Sequence, residues 1–292
     1  MIPKPPAPDW QKSKVVLVDP RMLKRYLRPK CDLRPVYREL QQALDSLGLK
    51  QVLLIPSDSP LDIWIRDWGF VGDCYFQYPP SYAQDIYSQP AVQRARQHLD
   101  LIIGKSHRLV PMVFDGGNLI HDGKVAILTD KVMADNPRMT KKEIEGCIIS
   151  LGFERVVFIP MEPEDIIGHS DGIVRFLSPE VLLINEYKGR EFKDYQRKLN
   201  TALKRAKLDA ELLPFPWFTT GDMTEDGVWS AEGCYINFLQ TAKGIVCPVF
   251  NHKMDERALE VLQAHWKLPI VPVNGTELSR LGGVFNCASL VL

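Results

Sequence analysis

The sequence predicts one closed α/β domain built from repeated units. Amphipathic helical segments alternate with short apolar segments of strand length along the 292 residues. Hairpin-like stretches precede several of the helices, and the whole pattern recurs roughly every 50–60 residues. Repetition on this scale is typical of similar units stacked or arranged around an axis. Since no internal linker or charge block interrupts the pattern, we expect a single domain that spans residues 1–292.

Five amphipathic helices are predicted from apolar residues at helical spacing. The first ends at Gly48, the second follows Pro90, and the third opens with a capping box formed by Thr140 and Glu143. The remaining two helices carry their apolar faces at Phe192, Tyr195, Leu199 and Leu203, and at Leu259, Leu262 and Trp266. Each helix therefore has a face that can pack against a sheet.

Each predicted helix leads into a short apolar strand. These strands cover residues 52–55, 109–114, 156–159, 211–213 and 270–273. Hairpins are predicted at residues 118–128, 172–184 and 235–249, and the first of them turns at Asp122-Gly123. Residues 15–18 are expected to pair with residues 284–292 and so to close the ring of units. Residues 79–90 are expected to form an exposed loop.

Charge and composition exclude several classes of protein. The 36 lysines and arginines balance 36 aspartates and glutamates, whereas binding of nucleic acid or an anionic membrane through bulk charge needs a basic excess. The hydrophobic content of 45% is that of a globular protein. No apolar run approaches the roughly 18 residues of a membrane helix. We therefore expect a small-molecule partner, with no nucleic acid and no membrane.

The cysteines and the first residues indicate the compartment. Six cysteines without a CxxC pair favour a reducing environment. The first 14 residues lack the apolar core of a secretory signal. A cytoplasmic location is therefore predicted, and an exposed helix face is compatible with a homodimer.

Polar, glycine-rich segments follow the predicted strands at equivalent places in the repeated units. They are residues 62–69 (DIWIRDWG), 114–118 (FDGGN), 168–172 (GHSDG), 229–234 (WSAEGC) and 282–287 (GGVFNC). Glycine permits positive φ and close backbone approach at such points. If the units surround an axis, these segments meet at one end of it. One pocket would then hold several carboxylates, a histidine and a cysteine.

This set of groups suits chemistry on a guanidinium. Carboxylates can bind the N–H edges of the planar cation in fork geometry, a thiolate can attack its central carbon, and a histidine can serve as acid and base. The thiolate needs a nearby positive charge, from the bound cation or from protonated His169. Without a cation, crowded aspartates repel and the pKa of one rises. The pocket should therefore prefer a cationic ligand.

These motifs resemble those of the pentein superfamily of guanidine-modifying enzymes, most closely the agmatine deiminase and bacterial peptidylarginine deiminase branch. The resemblance implies a five-bladed α/β propeller of ββαβ units. It also implies a deiminase that releases ammonia from agmatine or a related arginine derivative through a covalent amidino-cysteine intermediate, with no cofactor and no metal. Four features depart from the branch: Asn286 replaces its usual histidine, Asp115 replaces its common glutamate, Phe70 replaces the proline that usually follows the first motif, and the N-terminal segment lacks the usual Trp-rich opening.

The resemblance also implies roles for individual residues. Cys287 is the nucleophile, His169 the acid and base, Asp67 and Asp171 the carboxylates that bind the guanidinium, and Asp115 a supporting acid near the substrate. We also expect the side chains of Asn118, Trp64 and Trp68 to contact the substrate.

Each of these residues has a purely structural alternative. Cys287 can be a packed thiol, His169 a core histidine, Asp67 an ion-pair partner of Arg66, and Asp115 an Asx-turn residue. Other functions are also open. They are amidino transfer, guanidinium binding without turnover, and metal-dependent hydrolysis that uses the histidine and the three aspartates as ligands.

Overall fold

Local sequence signals place the helices where they were predicted. The computed structural model describes residues 4–18, 25–27, 30–53, 62–163, 165–224 and 227–292. Within these ranges the α-helices are α1 (Arg34–Ser46), α2 (Ile65–Trp68), α3 (Gln89–Ile103), α4 (Lys131–Asp135), α5 (Lys141–Ile149), α6 (Lys193–Ala206), α7 (Asp255–His265) and α8 (Thr276–Ser279). The five predicted helices are confirmed as α1, α3, α5, α6 and α7. None of the helices in these ranges is both long and apolar enough to cross a membrane.

The strands are short and lie before and after the long helices. They are β1 (Val15–Val18), β2 (Arg25–Leu27), β3 (Lys30–Asp32), β4 (Lys50–Leu53), β5 (Cys74–Phe76), β6 (Arg108–Val110), β7 (Ile120–His121), β8 (Val125–Thr129), β9 (Arg155–Ile159), β10 (Val174–Ser178), β11 (Val181–Asn185), β12 (Glu211–Phe215), β13 (Leu239–Thr241), β14 (Gly244–Val249), β15 (Ile270–Asn274) and β16 (Ser289–Val291). The three predicted hairpins are confirmed as β7–β8, β10–β11 and β13–β14.

A pair of parallel strands recurs five times along the described chain. Parallel pairs form between β1 and β4, β5 and β6, β8 and β9, β11 and β12, and β14 and β15. A helix connects the two strands of each pair, as parallel pairing requires. The predicted pairing of the first strand with the C-terminal segment is confirmed, because β1 runs antiparallel to β16. The described residues therefore form a mixed α/β fold of five similar small sheets, accompanied by the β2–β3 hairpin.

Two predicted segments differ from the structure. The strand predicted at residues 109–114 ends at Val110, because Pro111 has no N–H to donate to a sheet. The backbone of Val113 instead pairs with the side-chain amide of Asn136, at 2.9 and 2.8 Å. The strand predicted at residues 52–55 is observed as Lys50–Leu53, and positions 54–55 lie outside the described residues.

The N-terminal box of α5 forms as the sequence predicts. The N–H of Glu143 donates to the Thr140 hydroxyl at 3.3 Å, and the N–H of Thr140 donates to the Glu143 carboxylate at 2.7 Å. These bonds use backbone donors that have no partner inside the helix. The start of α5 is thus set by local sequence rather than by tertiary packing.

A large apolar cluster positions the segment that carries Cys287. The buried faces of α1 and α7 pack there with β14, through side chains such as Leu40, Leu262 and Ile245. Phe285 and Ala288 belong to the same cluster and are fully buried. Burial of each large apolar side chain contributes about 1.5–3 kcal/mol. The residues on both sides of Cys287 are therefore anchored in the core.

Candidate active site

Three of the predicted polar segments meet around the backbone of Gly117. A Cβ at this position would lie 2.7 Å from Asp67 Oδ1, 2.7 Å from His169 Nδ1 and 3.3 Å from Asp171 Oδ2. The Gly117 N–H also donates to Asp67 Oδ1 at 2.9 Å. The Cβ of any larger residue would push these side chains apart, so glycine at this position lets them lie close to the backbone. Asp67, His169 and Asp171, predicted to act together, are thus brought to one place.

His169 lies between two carboxylates. Its Nε2 is 2.9 Å from Asp115 Oδ2, and its Nδ1 is 3.6 Å from Asp67 Oδ1. Burial alone would lower the pKa of His169, but the negative charges of Asp67 and Asp115 outweigh burial and raise it to about 10. The imidazole is therefore protonated at neutral pH and can donate a proton.

The carboxyl group of Asp67 is buried close to two other acidic side chains. Burial raises its pKa to about 7, and the nearby charges of Asp115 and Asp171 add to the effect, although His169 opposes it. Both causes act in the direction expected for crowded aspartates. Asp67 also accepts a hydrogen bond from the Tyr82 hydroxyl at 3.2 Å. A bound cation would relieve this crowding.

Asp115 contacts the imidazole of His169 and is itself held by hydrogen bonds from Ser81. Its carboxylate accepts hydrogen bonds from the N–H of Ser81, at 2.6 Å, and from the Ser81 hydroxyl. Lys131 in turn donates to that hydroxyl at 2.6 Å. Burial would raise the pKa of Asp115, but the hydrogen bond and charge of His169 lower it below its usual value. The side chain caps no turn, so the Asx-turn alternative is not what the structure shows.

Replacing Asp115 by asparagine is expected to lower the pKa of His169 by about 1 unit or more, since one opposite charge within hydrogen-bonding distance is removed. The pKa of His169 lies above that of an unfolded histidine, so its contribution to stability is complete below pH about 6.5 and is lost as the pH rises through about 10. Titration of the ring by NMR measures the pKa, and denaturant-induced unfolding at several pH values measures the contribution to stability. The exposed Asp194→Asn change is the control, and an unchanged pKa in the Asp115 variant would contradict the assignment.

The thiol of Cys287 lies beside the carboxylate of Asp171. Its Sγ is 3.2 Å from Asn237 Nδ2 and 3.5 Å from Asp171 Oδ2. Asn286 donates to the same Asp171 oxygen at 2.7 Å. Burial raises the pKa of Cys287 well above its usual value, and the charges of Asp171 and Asp67 raise it further. Cys287 is therefore a neutral thiol until positive charge enters the site.

A second buried ionic cluster lies behind the Cys287 segment. Asp9 Oδ2 accepts hydrogen bonds from Arg66 at 3.3 Å and from Arg175 at 3.2 Å. Arg66 also donates from Nε to the carbonyl of Asn286 at 3.2 Å, and from its backbone N–H to the carbonyl of Cys287 at 3.1 Å. Arg66 therefore pairs with Asp9, not with its neighbour in sequence, and ties the N-terminal segment to the cysteine loop.

The converging groups open into one large cavity. Its volume is about 760 Å³, and Asp67, His169, Asp171 and Cys287 are on its wall. Seven carboxylic acids line it, whereas the described lining residues include no lysine or arginine. These acids are Asp62, Asp67, Glu162, Asp165, Asp171, Glu191 and Glu232. A cavity of this composition attracts cations and repels carboxylates.

Of the four residues expected at the substrate, the structure places Trp64 alone on the cavity wall. Trp68 is buried in an apolar cluster, and its indole N–H donates to the Asp62 carbonyl at 3.3 Å. Asn118 accepts from the N–H and the hydroxyl of Thr129, at 2.9 and 3.0 Å, and so holds its turn against β8. Asp115 contacts His169 and does not line the cavity. Trp68, Asn118 and Asp115 therefore lie behind the cavity wall, and their contact with the substrate stays a prediction.

The residues weighed as metal ligands form ion pairs and hydrogen bonds with one another. Both ring nitrogens of His169 already face carboxylates, at 2.9 and 3.6 Å. In the part of the chain that the structure describes, no group of three or more His, Cys, Asp or Glu side chains is arranged to hold a metal ion.

Sequence reasoning missed several residues of the site. Asn237 contacts the Cys287 sulfur, and Tyr82 contacts Asp67. Ser81 and Tyr82 belong to residues 79–90, expected to be an exposed loop, but residues Ser81–Ala83 form a turn against the site. The two prolines before this turn carry no distinctive signal, so only the fold reveals the contacts of Ser81 and Tyr82.

Sequence comparison shows which proteins this chain is similar to. The family model of the Porphyromonas-type peptidyl-arginine deiminase matches residues 33–291. A relative from Enterococcus faecalis is 28% identical over 256 residues, which cover 78% of this chain and 67% of the relative. The agmatine deiminase of Pseudomonas savastanoi is 27% identical over 204 residues, which cover 60% of this chain and 55% of that enzyme. The chain thus matches between about half and two thirds of the length of these relatives.

Solved structures show the same fold. The agmatine deiminase of Enterococcus faecalis superposes with a TM-score of 0.76 at 19% identity, covering 99% of this chain and 95% of that one. A dimethylarginine dimethylaminohydrolase superposes with a TM-score of 0.60 at 14% identity, covering 96% of this chain and 100% of that one. The chain therefore belongs to the Porphyromonas-type peptidyl-arginine deiminase family, and the resemblance of its motifs to this branch of the pentein superfamily is confirmed.

Proposed function

We propose that this chain is a cysteine-dependent deiminase that releases ammonia from agmatine or a related arginine derivative. The observation that carries the proposal is the meeting of Cys287, His169, Asp67 and Asp171 on the wall of one acidic cavity. Relatives named as agmatine deiminases support it. We further propose that residues 1–292 form one five-bladed propeller, since five parallel strand pairs recur along the described chain. A cytoplasmic location and a homodimer stay predictions.

In the proposed complex the guanidinium supplies positive charge that balances the negative charges of the aspartates. Asp67 and Asp171 accept its N–H groups, which holds the planar cation with its central carbon next to Cys287. The charge of the cation lowers the pKa of Asp67 and of the Cys287 thiol, because both pKa values are raised by burial and, in addition, by the negative charges of neighbouring aspartates. Substrate binding thus favours loss of the Cys287 thiol proton to solvent, and the resulting thiolate is the group that attacks the guanidinium carbon.

The first half of the proposed reaction forms a carbon–sulfur bond. The Cys287 sulfur attacks the guanidinium carbon, and a C–N bond then breaks. Protonated His169 gives its proton to the departing nitrogen, which leaves as ammonia. The product of this step is an amidino-cysteine that still carries the substrate tail. The high pKa of His169 suits a group that must hold this proton until it is needed.

The second half consumes water. Neutral His169 removes a proton from a water molecule, whose oxygen attacks the amidino carbon. The C–S bond breaks, the thiolate of Cys287 is restored, and the released product is a substituted urea. An amine in place of water would make the same intermediate an amidino donor, so product analysis with an acceptor amine separates hydrolysis from transfer.

Agmatine is expected to be a better substrate than arginine by about 10-fold or more in kcat/KM. The α-carboxylate of arginine would enter a cavity lined by seven carboxylic acids, where the described residues offer it no lysine or arginine. Ammonia release from the two compounds measures the difference. Equal or better turnover of arginine would contradict the proposed substrate class. Tight binding of both without any product would indicate a guanidinium-binding protein instead.

A further inference from the structure

Lys131 is a buried lysine that the proposed chemistry does not use. It is the first residue of α4, and its side chain is only 10% exposed. Its ammonium group donates to the two carboxylate oxygens of Asp135, at 2.8 and 2.7 Å, and to the Ser81 hydroxyl at 2.6 Å. The three N–H donors of the ammonium group match these three oxygens. Asp135 thus fixes the cation within α4, and its third bond is directed at the turn beside the active site.

The aliphatic part of Lys131 packs against the segment that carries His169. A Cβ at Gly168, the residue before the histidine, would lie 2.9 Å from Lys131 Cδ. On the other side of this glycine, the Thr129 hydroxyl donates to the Gly168 carbonyl at 2.6 Å. The end of β8 and the start of α4 therefore hold the residue before His169 from two sides. Through its ammonium group, Lys131 also joins this segment to the turn that contains Ser81.

The hydrogen bonds between Lys131 and His169 run in one direction. Because an ammonium group can only donate, the Ser81 oxygen accepts from Lys131, and its own proton is directed to Asp115 Oδ2. Burial would raise the pKa of Asp115, but the hydrogen bond and charge of His169, followed by the charge of Lys131, hold it below its usual value. Asp115 is therefore an ionised acceptor, and His169 Nε2, which lies 2.9 Å away, is the donor.

A proton fixed on Nε2 leaves Nδ1 as the ring nitrogen of His169 that exchanges a proton. Nδ1 faces Asp67 Oδ1 at 3.6 Å, and both residues are on the cavity wall. After Nδ1 has given its proton away, the bond to Asp115 keeps the neutral ring in the tautomer in which Nδ1 can accept a proton from water. If the Ser81 hydroxyl turned away, Asp115 would lose a donor and attract the ring proton more strongly, and the imidazolium would become a weaker acid.

We infer that Lys131 is a positioning residue for His169 and acts on it through the Ser81 hydroxyl. Lys131 directs the hydroxyl proton of Ser81 to Asp115. This carboxylate in turn holds the imidazole with Nδ1 free to exchange the reacting proton. The inference rests on the proposed function and adds to it a cation that lies behind the histidine. A lysine suits this place because its ammonium group cannot reverse the direction of the hydrogen bonds by accepting one.

Lys131→Met removes the three donors and keeps an unbranched side chain that still packs against Gly168. It is expected to lower kcat for agmatine about 10-fold or more and to leave KM within about 3-fold, because proton transfer is impaired while the groups that bind the substrate stay in place. Lys141→Met is the matched control. Lys141 is an exposed lysine of α5 that lies over the ring of Phe158, and its replacement is expected to change kcat less than about 2-fold.

Ser81→Ala tests the path and protects the experiment against misfolding, since it leaves the ion pair of Lys131 with Asp135 in place. We expect this variant to lose kcat to a similar extent. Adding Lys131→Met to Ser81→Ala should cost no more than about a further 2-fold, because two residues that act through one contact are not additive. An unchanged kcat in both single variants, or the full loss from Lys131→Met in the Ser81→Ala background, would overturn the inference.

The proton on His169 Nε2 gives a second readout that needs no turnover. Its hydrogen bond to a carboxylate is charge-assisted, and its proton NMR resonance reports the strength of that bond. Lys131→Met and Ser81→Ala are expected to shift this resonance in the same direction, whereas Lys141→Met leaves it in place. A resonance that neither Lys131→Met nor Ser81→Ala moves would contradict the role of Lys131. If wild-type protein released no ammonia from agmatine, the proposed function would fail, and the resonance would still decide whether Lys131 positions the histidine.

Discussion

Replacing Cys287 by alanine is expected to reduce ammonia release from agmatine by about 10⁴-fold or more, because the variant lacks the atom that attacks the guanidinium carbon. The Sγ atom lies 3.5 Å from Asp171 and 3.2 Å from the Asn237 amide. Alanine fills most of the same volume and leaves the carboxylates in place. Agmatine should therefore still bind, and a steady-state ammonia assay together with calorimetry separates binding from turnover.

Cys234 offers a matched control within the same cavity. Its Sγ lies 3.7 Å from the carbonyl of Gly172, and burial raises its pKa far above that of an ordinary thiol. Cys234→Ala is expected to retain activity within about 10-fold, since an inert buried thiol acts mainly as a small apolar group. Comparable activity in wild type and Cys287→Ala would exclude the proposed nucleophile.

Asp9→Ala is expected to destabilise the protein by about 3–5 kcal/mol, the cost of leaving buried charges without their partner. Asp9 bridges the guanidinium groups of Arg66 and Arg175, whose side chains are 13% and 4% exposed. Without the carboxylate, two like charges remain close together in a poorly solvated site. Denaturant-induced unfolding at neutral pH measures the change in the free energy of unfolding.

The pH dependence of the Asp9 effect has a defined sign. Burial would raise the pKa of Asp9, but Arg66, Lys12 and Arg175 outweigh burial and hold it well below the usual value of 3.8. The contribution of Asp9 is therefore complete above pH about 4 and is lost as the pH falls through its folded-state pKa. Asp194→Ala, which removes exposed pairs with Arg197 and Lys198, is expected to leave the free energy of unfolding nearly unchanged, since exposed ion pairs contribute little. Similar losses of stability in the Asp9 and Asp194 variants would contradict the stabilising role of the buried cluster of Asp9, Arg66 and Arg175.

Much of the fold follows from local sequence. The spacing of Leu40 and Leu44 predicts α1, and the Thr140–Glu143 box predicts the start of α5, because both signals lie within a few residues. The early end of β6 also follows from local sequence, since Pro111 cannot donate an N–H to a sheet, but the pairing of the Val113 backbone with Asn136 does not, because these two residues are distant in sequence. The single-turn helices carry too few residues for any periodicity to appear.

The candidate site was predictable in part. Asp67, His169, Asp171 and Cys287 stand in motifs with glycine neighbours, and the fold brings these four together. Which way a side chain points from a turn is set by tertiary packing, so the directions of Trp68 and Asn118 could not be predicted. Tyr82 and Glu162 lie in segments without a motif of their own, and only the folded chain places them beside Asp67 or on the cavity of Cys287.

The central claim is that sulfur adds to the guanidinium carbon, and intact-protein mass spectrometry tests it most directly. Protein quenched in acid during turnover of agmatine is expected to contain a species heavier by the mass of agmatine less ammonia, with the added mass on the peptide that contains Cys287. The Cys287→Ala variant should lack this species. Rapid ammonia release with no added mass on Cys287 at any quench time, or an adduct on another residue, would contradict the claim.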